Sequence, residues 1–472
     1  MLIVGCFLAA GLTIGALAAN HPLFAAAVVL AAALGLLIAV NRSALPAFLV
    51  FTMFVESLAI APGLRIGRIA AVLALAVVLY SLLTGGRAGL KPNLLLGVVA
   101  AYGVWAVASA YWANDTHAVY GYIGRYGLAV SYMVAFALLV RTERQLTTVF
   151  ITLGVGALVF GIAAFFGYDP SAEKYSVQQA AKGLQGDHNF FALYQVVALP
   201  AALTIAALER RPHRILAYYG IVGAILLSVV ASLSRSGLLA LAVVVVATLL
   251  LPWRYFFRRA SQKAAYAFAL LGAAGLVALA GAAPFVSRAL TIFREKETGR
   301  GAGRIDLWRA AWHAFRQHEV VGIGAGNFRG RSFELLQATP GVTTTAGFDP
   351  RGKYVHNMFL GNLTELGLVG FALFVILIAL TAWYLWRSFK RVREAGNSTT
   401  ARFCIALLVS LIGLCTSGFF LSIELAKALW IIVGLAIALD VITRQPSPPG
   451  RRTADASPGS PPHTPRSRDS RF

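Results

Sequence analysis

Residues 356–386 read HNMFLGNLTELGLVGFALFVILIALTAWYLW, a polar start followed by a long apolar run in which Glu365 is the sole carboxylate or cation. A spanning helix needs about 20 mostly apolar residues, so this stretch predicts a transmembrane helix that opens at the His356-Asn357 pair. Runs of the same kind recur on both sides, near 2–19, 23–40, 44–60, 68–84, 94–113, 120–140, 146–167, 190–208, 214–232, 236–251, 264–284, 402–421 and 423–441. The composition agrees: 58% of the 472 residues are hydrophobic, 13% are charged and the mean hydropathy is +0.72. A chain this apolar belongs in a bilayer. The expected fold is an all-α integral membrane protein of about 12–14 spanning helices, with one large loop, 285–355, on the outer face.

Leu2 to Ala19 lacks the cationic start and small-residue cleavage site of a signal peptide, so it is read as a retained span. Cys6, Cys404 and Cys415 all fall inside apolar runs, which implies neither a disulfide framework nor a zinc site. The formal charge of +22 comes from short Lys and Arg clusters between spans and in the tail, a membrane-topology pattern rather than a nucleic-acid surface. Arg141–Arg144, Glu209–Arg214, 252–263 and Arg387–Arg393 are basic and alternate with less basic loops, which assigns them to the cytoplasm together with both termini. The opposite face receives 112–119, 168–189, 232–236, 285–356 and 418–424, the periplasmic side if the membrane is a bacterial inner membrane. Residues 1–441 thus form the membrane domain, and 442–472, rich in Pro, Ser, Arg and Gly, form a disordered cytoplasmic tail.

Cations that break the topology rule need another reason to be where they are. Arg65 and Arg68 fall in a short outer loop, Arg125 lies inside a span, Arg235 sits in the Ser232–Gly237 turn and Arg304 in the large loop. A guanidinium near the bilayer is costly unless it meets an anion. Protein carboxylates such as Glu56 and Glu424, or lipid phosphate, are the plain partners for Arg65, Arg68 and Arg125. Arg235 stands among small residues that allow close approach, and its fork suits a phosphate or diphosphate.

Within the loop, Ile305, Trp308, Trp312 and Phe315 recur at helical spacing and predict an amphipathic helix on the membrane surface, with Arg304 at its start. Gly322-Ile-Gly-Ala-Gly-Asn-Phe328 lacks a preceding strand, so it reads as a tight turn under the site rather than a dinucleotide fingerprint. His356 stands at the mouth of the quoted span, where an imidazole serves as a structural hydrogen-bonding group or as a base. Glu365 lies about 13 Å deeper by helical rise and is expected to be a structural anchor first.

Ser234-Arg-Ser-Gly237, Gly303-Arg-Ile-Asp-Leu-Trp308, Gly322–Phe328, His356-Asn-Met-Phe-Leu360 and Gly186-Asp-His-Asn-Phe-Phe-Ala-Leu-Tyr194 together resemble the O-antigen ligase and polymerase superfamily over roughly residues 90–440. The resemblance implies a type C membrane glycosyltransferase. Its donor would be an undecaprenyl-diphosphate-linked glycan, and its acceptor the lipid A core, another glycan or a protein side chain. On that likeness Arg235, Arg304 and His356 match essential positions, with His356 as general base. Arg125, Arg65 and Arg68 stand in reserve for the diphosphate, and Asn189, Asn357 and Glu365 support the site. The outer loops show no Asp-x-Asp or paired-His metal spacing, so the expected transfer is metal-independent, cofactor-free and inverting, with arginines facing the leaving group. An O-antigen or exopolysaccharide polymerase and a protein O-oligosaccharyltransferase are alternatives within the superfamily. A multi-spanning transporter is the main rival from another class, but it predicts an internal repeat and ionisable groups near the midplane. A structural membrane subunit is the third reading.

Overall fold

The computed structural model describes residues 44–55, 59–61, 64–83, 92–166, 187–279, 303–342 and 351–444. The expected spans at 2–19 and 23–40, the tail beyond Arg444 and parts of the large loop lie outside these. The described chain is all-helical apart from one small β-hairpin. It runs through α1 (Ala44–Phe54), β1 (Ala59–Ala61), β2 (Leu64–Arg65), α2 (Ile66–Leu83), α3 (Leu94–Ala108), α4 (Thr116–Leu139), α5 (Glu143–Phe166), α6 (His188–Leu208) and α7 (Pro212–Ala231). It continues with α8 (Arg235–Leu250), α9 (Ala260–Leu279), α10 (Arg304–Gln317), α11 (Asn327–Ala338), α12 (Met358–Glu394), α13 (Ser398–Gly418) and α14 (Lys427–Ile442). Seven of these helices are long and apolar enough to cross a membrane, and α1 and α8 are shorter apolar helices.

Helix α6 is the axis of the bundle, packed by α5, α7, α8 and α13 and buried along nearly its whole length. A helix that is apolar all round belongs in an interior. Two of its polar side chains bond to backbone carbonyls: Gln195 Nε2 donates to Ala157 O at 2.9 Å, and Thr204 Oγ1 donates to Pro200 O at 2.8 Å. Helix α14 packs on α4 and α12, and its Trp430 is fully buried.

Alternation of the chain brings the starts of α4, α6, α8 and α12 to one end of the bundle. All four starts are capped by side chains that accept backbone N–H groups: Asp115, Asp187, Ser234 and Asn357. Each cap satisfies donors that a helix start leaves free, and their convergence gives that end the positive poles of four helix dipoles. At the opposite end Asp440 pairs with Arg391 at 2.6 Å and with Arg444 at 2.5 Å.

The quoted stretch is not one continuous helix. Gly367 adopts φ 65°, ψ −167°, a conformation that belongs to glycine, and α12 breaks there. The segment Glu319–Gly324 enters the break. Ile323 N donates to Thr364 O at 3.0 Å, Gly324 N to Glu365 O at 2.9 Å, and Leu368 N to Glu319 O at 2.9 Å. Trp105 Nε1 takes Leu366 O at 2.9 Å. Residues 358–366 therefore belong structurally with the large loop.

That loop carries its own small core of Leu307, Ala310, Ala311, Ala314, Ile323, Phe328, Leu335, Leu336 and Val355. The expected stripe on α10 is divided: Phe315 is buried and Trp308 packs on this core together with Leu307 and three alanines, while Ile305 and Trp312 are exposed, at 39% and 49%. Small side chains let α10 approach α12 closely enough for Thr364 Oγ1 to donate to Ala311 O at 3.1 Å. A second loop helix, α11, was not expected from the sequence.

Candidate functional site

The capped end of the bundle holds the three residues singled out in the sequence. Arg235 is the first residue of α8, half-buried. The turn before it is tightly fixed: Ser234 Oγ accepts from Gly237 N at 3.1 Å and donates to Asn189 Oδ1 at 2.8 Å, and Ser234 N donates to Ser232 Oγ at 3.2 Å. A Cβ at Gly237 would collide with that of Ala192, so the glycine lets α8 sit directly against α6. Asn189, expected as a supporting residue, is thus the link from α6 to the arginine turn.

Arg304 opens α10 behind Gly303, whose φ of 80° turns the chain into the helix. His356 precedes the cap residue Asn357, whose Oδ1 accepts from Phe359 N and Leu360 N, each at 3.0 Å. Its backbone N donates to Ser422 Oγ at 3.2 Å, and Trp308 Nε1 of α10 holds the preceding carbonyl, Val355 O, at 3.0 Å. Among the described residues, the non-glycine positions with positive φ are Leu233 at 51° and His356 at 55°. Such backbone costs energy and persists only where the surroundings enforce it. Both examples lie at this site, one beside Arg235 and one at the histidine.

His356 is held far from its ordinary titration range, at about 4. Burial is the first cause, the charges of Arg304 and Lys353 push the same way, and Asp187 opposes them. The imidazole is therefore neutral at pH 7 and free to accept a proton. The influence of Arg304 and Asp187 on this ring places both near it. Asp187 caps α6 two residues before Asn189, through bonds to Asn189 N at 2.7 Å and Phe190 N at 3.3 Å. The start of α6 therefore joins the histidine side of the site to the Arg235 turn. Asp187 stands in the Gly186–Tyr194 segment, but its sequence reads only as a helix cap, and nothing local shows that it faces His356.

The remaining expectations fall elsewhere. Glu365 is an anchor: its carboxylate accepts from Gly326 N at 2.8 Å and Phe328 N at 3.1 Å, capping α11. Arg125, exposed on α4, lines a separate pocket described below. Arg65 lies in the hairpin and Arg68 in the first turn of α2; their side chains lie outside the described set, as does Glu56. Glu424, in the α13–α14 turn, keeps Oε2 buried with no hydrogen-bond partner, and burial raises this carboxyl to about 7.

The sequence model of the O-antigen ligase family matches residues 220–375. The matched segment contains Arg235, Arg304 and His356 and excludes Asp187, Asn189, Ser422 and Glu424. No curated protein matches the chain. With its apolar helices, the chain is a multi-pass membrane protein, and its residues 220–375 are similar to the O-antigen ligase family, the likeness first noted in its motifs.

Proposed function

We propose that the protein transfers a glycan from undecaprenyl diphosphate to an acceptor hydroxyl at the periplasmic face of a bacterial inner membrane, as an O-antigen ligase-like glycosyltransferase. The observation that carries this reading is a neutral, half-buried His356 held in a strained turn beside Arg304. In this reaction the acceptor oxygen attacks the anomeric carbon while His356 takes its proton. The bond from that carbon to the diphosphate oxygen breaks, and the electron pair leaves with undecaprenyl diphosphate. Attack opposite the leaving group inverts the configuration.

Arg235 and Arg304 face the growing charge on the diphosphate. Two guanidinium groups at helix starts combine fixed positive charge with the dipole ends of α8 and α10. This arrangement takes the role that a divalent cation has in other glycosyl transfers, so the reaction needs no metal. The acceptor is the lipid A core in this reading, and a growing glycan or a protein hydroxyl would meet the same base.

The test is transfer by purified protein from an undecaprenyl-diphosphate-linked glycan to a lipid A core acceptor, with EDTA present. His356→Ala, shown to be folded and inserted, should lose about 10²–10⁴-fold in rate. Undiminished transfer by that variant would remove His356 as the base, and loss of wild-type transfer in EDTA would remove the metal-independent scheme.

A further inference from the structure

A pocket of about 340 Å³ opens at the same end of the bundle, between α4, the start of α11 and the irregular segment leading to His356. His117, Arg125, Arg329 and Tyr354 supply its polar lining. Among the described residues, Arg235, Arg304 and His356 do not line it. Arg125 lies nine residues into α4, about 13 Å below the helix start by helical rise. An exposed cation at that depth is costly in a bilayer unless an anion meets it.

Among the described residues no anion does so closely. Arg125 makes neither a hydrogen bond nor an ion pair among the described residues. The carboxylates that feel its charge are Glu365 and Glu424. The first is bonded to Gly326 N and Phe328 N, and the second keeps an unpartnered buried oxygen. Arg329 is held in place from the other wall, with Nε donating to Gly352 O and Nη1 to Tyr354 Oη, each at 3.1 Å, and its guanidinium 4.9 Å from the Tyr354 ring centre. The pocket floor depends on glycine: Gly326 has φ 74°, and a Cβ there would come within 2.8 Å of Ala118 O.

We propose that this pocket binds a phosphate group on the acceptor glycolipid, as a second anion site beside the one for the donor diphosphate; this rests on the glycosyltransferase reading above. Two guanidinium groups converging from different elements suit a tetrahedral anion with oxygens facing both, whereas a carboxylate presents a single edge. The volume exceeds what one small anion fills and leaves room for the sugar that carries it. An anion reaches the depth of Arg125 only when attached to a molecule seated in the membrane.

Position favours the acceptor. Tyr354 lines the pocket and His356 follows two residues later, at most about 7 Å along the backbone. The turn that holds His356 N through Ser422 also carries Glu424, which feels Arg125. A phosphate fixed at Arg125 and Arg329 would thus place a hydroxyl of the same molecule within reach of the base.

Binding to the purified full-length protein by native mass spectrometry separates the possibilities. The probes are a phosphorylated lipid A core glycolipid, the same glycolipid after phosphatase treatment, undecaprenyl diphosphate and phosphatidylglycerol. Arg125→Gln and Arg329→Gln should each weaken the phosphorylated glycolipid at least tenfold, bring it to the affinity of the dephosphorylated form and leave undecaprenyl diphosphate unchanged. Arg125→Lys, which keeps the charge at an exposed position, should fall between and guards against a folding effect. Loss of undecaprenyl diphosphate instead would give the pocket to the donor, and equal loss of phosphatidylglycerol would make it a general headgroup site. Unchanged binding of the phosphorylated glycolipid would leave no anion site. Each of these three results overturns the proposal. The expected binding pattern without any wild-type glycan transfer would uphold the phosphate site while refuting the enzymatic reading.

Discussion

His356 shows how position sets chemistry at the level of one side chain. Burial and the Arg304 charge hold it at about 4 in the free protein, so in the proposed reaction it can serve as base over the whole neutral range and would lose that role only when acid protonates it. A bound diphosphate brings negative charge to the ring and stabilises the imidazolium, which raises this value. The acid limb of kcat/KM should therefore lie near 4, and that of kcat at higher pH, since the first reports free enzyme and the second the complex. Arg304→Gln removes a cation that depresses the ring, so the limb of its residual kcat/KM should move to higher pH. A limb unmoved in pH–rate profiles of that variant would deny the coupling. Arg235 permits a different separation: Arg235→Lys keeps charge but loses the planar fork, and kcat/KM should fall about tenfold or more. Full activity there would rule out bidentate contact. The residue types at 235, 304 and 356 were legible because each breaks the rule for charge or polarity at its depth. The helix-cap logic that made Asp187 look ordinary hid its second role, since its effect on His356 depends on a partner 169 positions away in sequence.

At the scale of elements, the long apolar run after His356 announces a span correctly but conceals the break at Gly367. Hydropathy registers which residues avoid water and is blind to a single backbone conformation. The Gly322–Phe328 turn was legible as a turn, while its role as a wedge was not, because its partners are carbonyls of α12 and the α3–α4 connection. Asn327 makes that second join, with Oδ1 accepting from Asp115 N at 2.9 Å and Nδ2 donating to Asp115 O at 3.0 Å. Helix α11 was missed for a related reason: its start is capped from another element, by Glu365, rather than by a neighbouring Ser, Thr, Asp or Asn. Glu365→Gln retains one acceptor oxygen and loses the charge at the positive end of α11, at a cost of about 1–3 kcal/mol. Hydrogen exchange should then quicken across 327–338 and leave α6 protected. Uniform exchange in variant and parent would show that the carboxylate does not hold α11.

For the whole molecule, the site is an outcome of parity. Arg235, Met358 and His188 all begin helices, and an alternating bundle must bring every second connection to the same end, so residues far apart in sequence share one surface. The basic connections at Arg141–Arg144, Glu209–Arg214 and 252–263 lie at the other end, which is the cytoplasmic one if the charge rule holds. In the proposed function that assignment sets the side of delivery: a diphosphate headgroup would meet Arg235 and Arg304 from the side on which α10 and α11 stand. Ala338 and Ser261, both exposed, mark the two ends. In a background with Cys6, Cys404 and Cys415 replaced, Ala338→Cys should react with a membrane-impermeant maleimide in intact spheroplasts, and Ser261→Cys only after lysis. The reverse labelling would place His356 in the cytoplasm, where a lipid-linked glycan already carried to the outer leaflet could not reach it. Labelling at Ala338 in spheroplasts would join the basic loops, the capped helix starts and the two anion sites into one arrangement, with the cations that obey the charge rule inside and those that break it gathered where phosphate arrives.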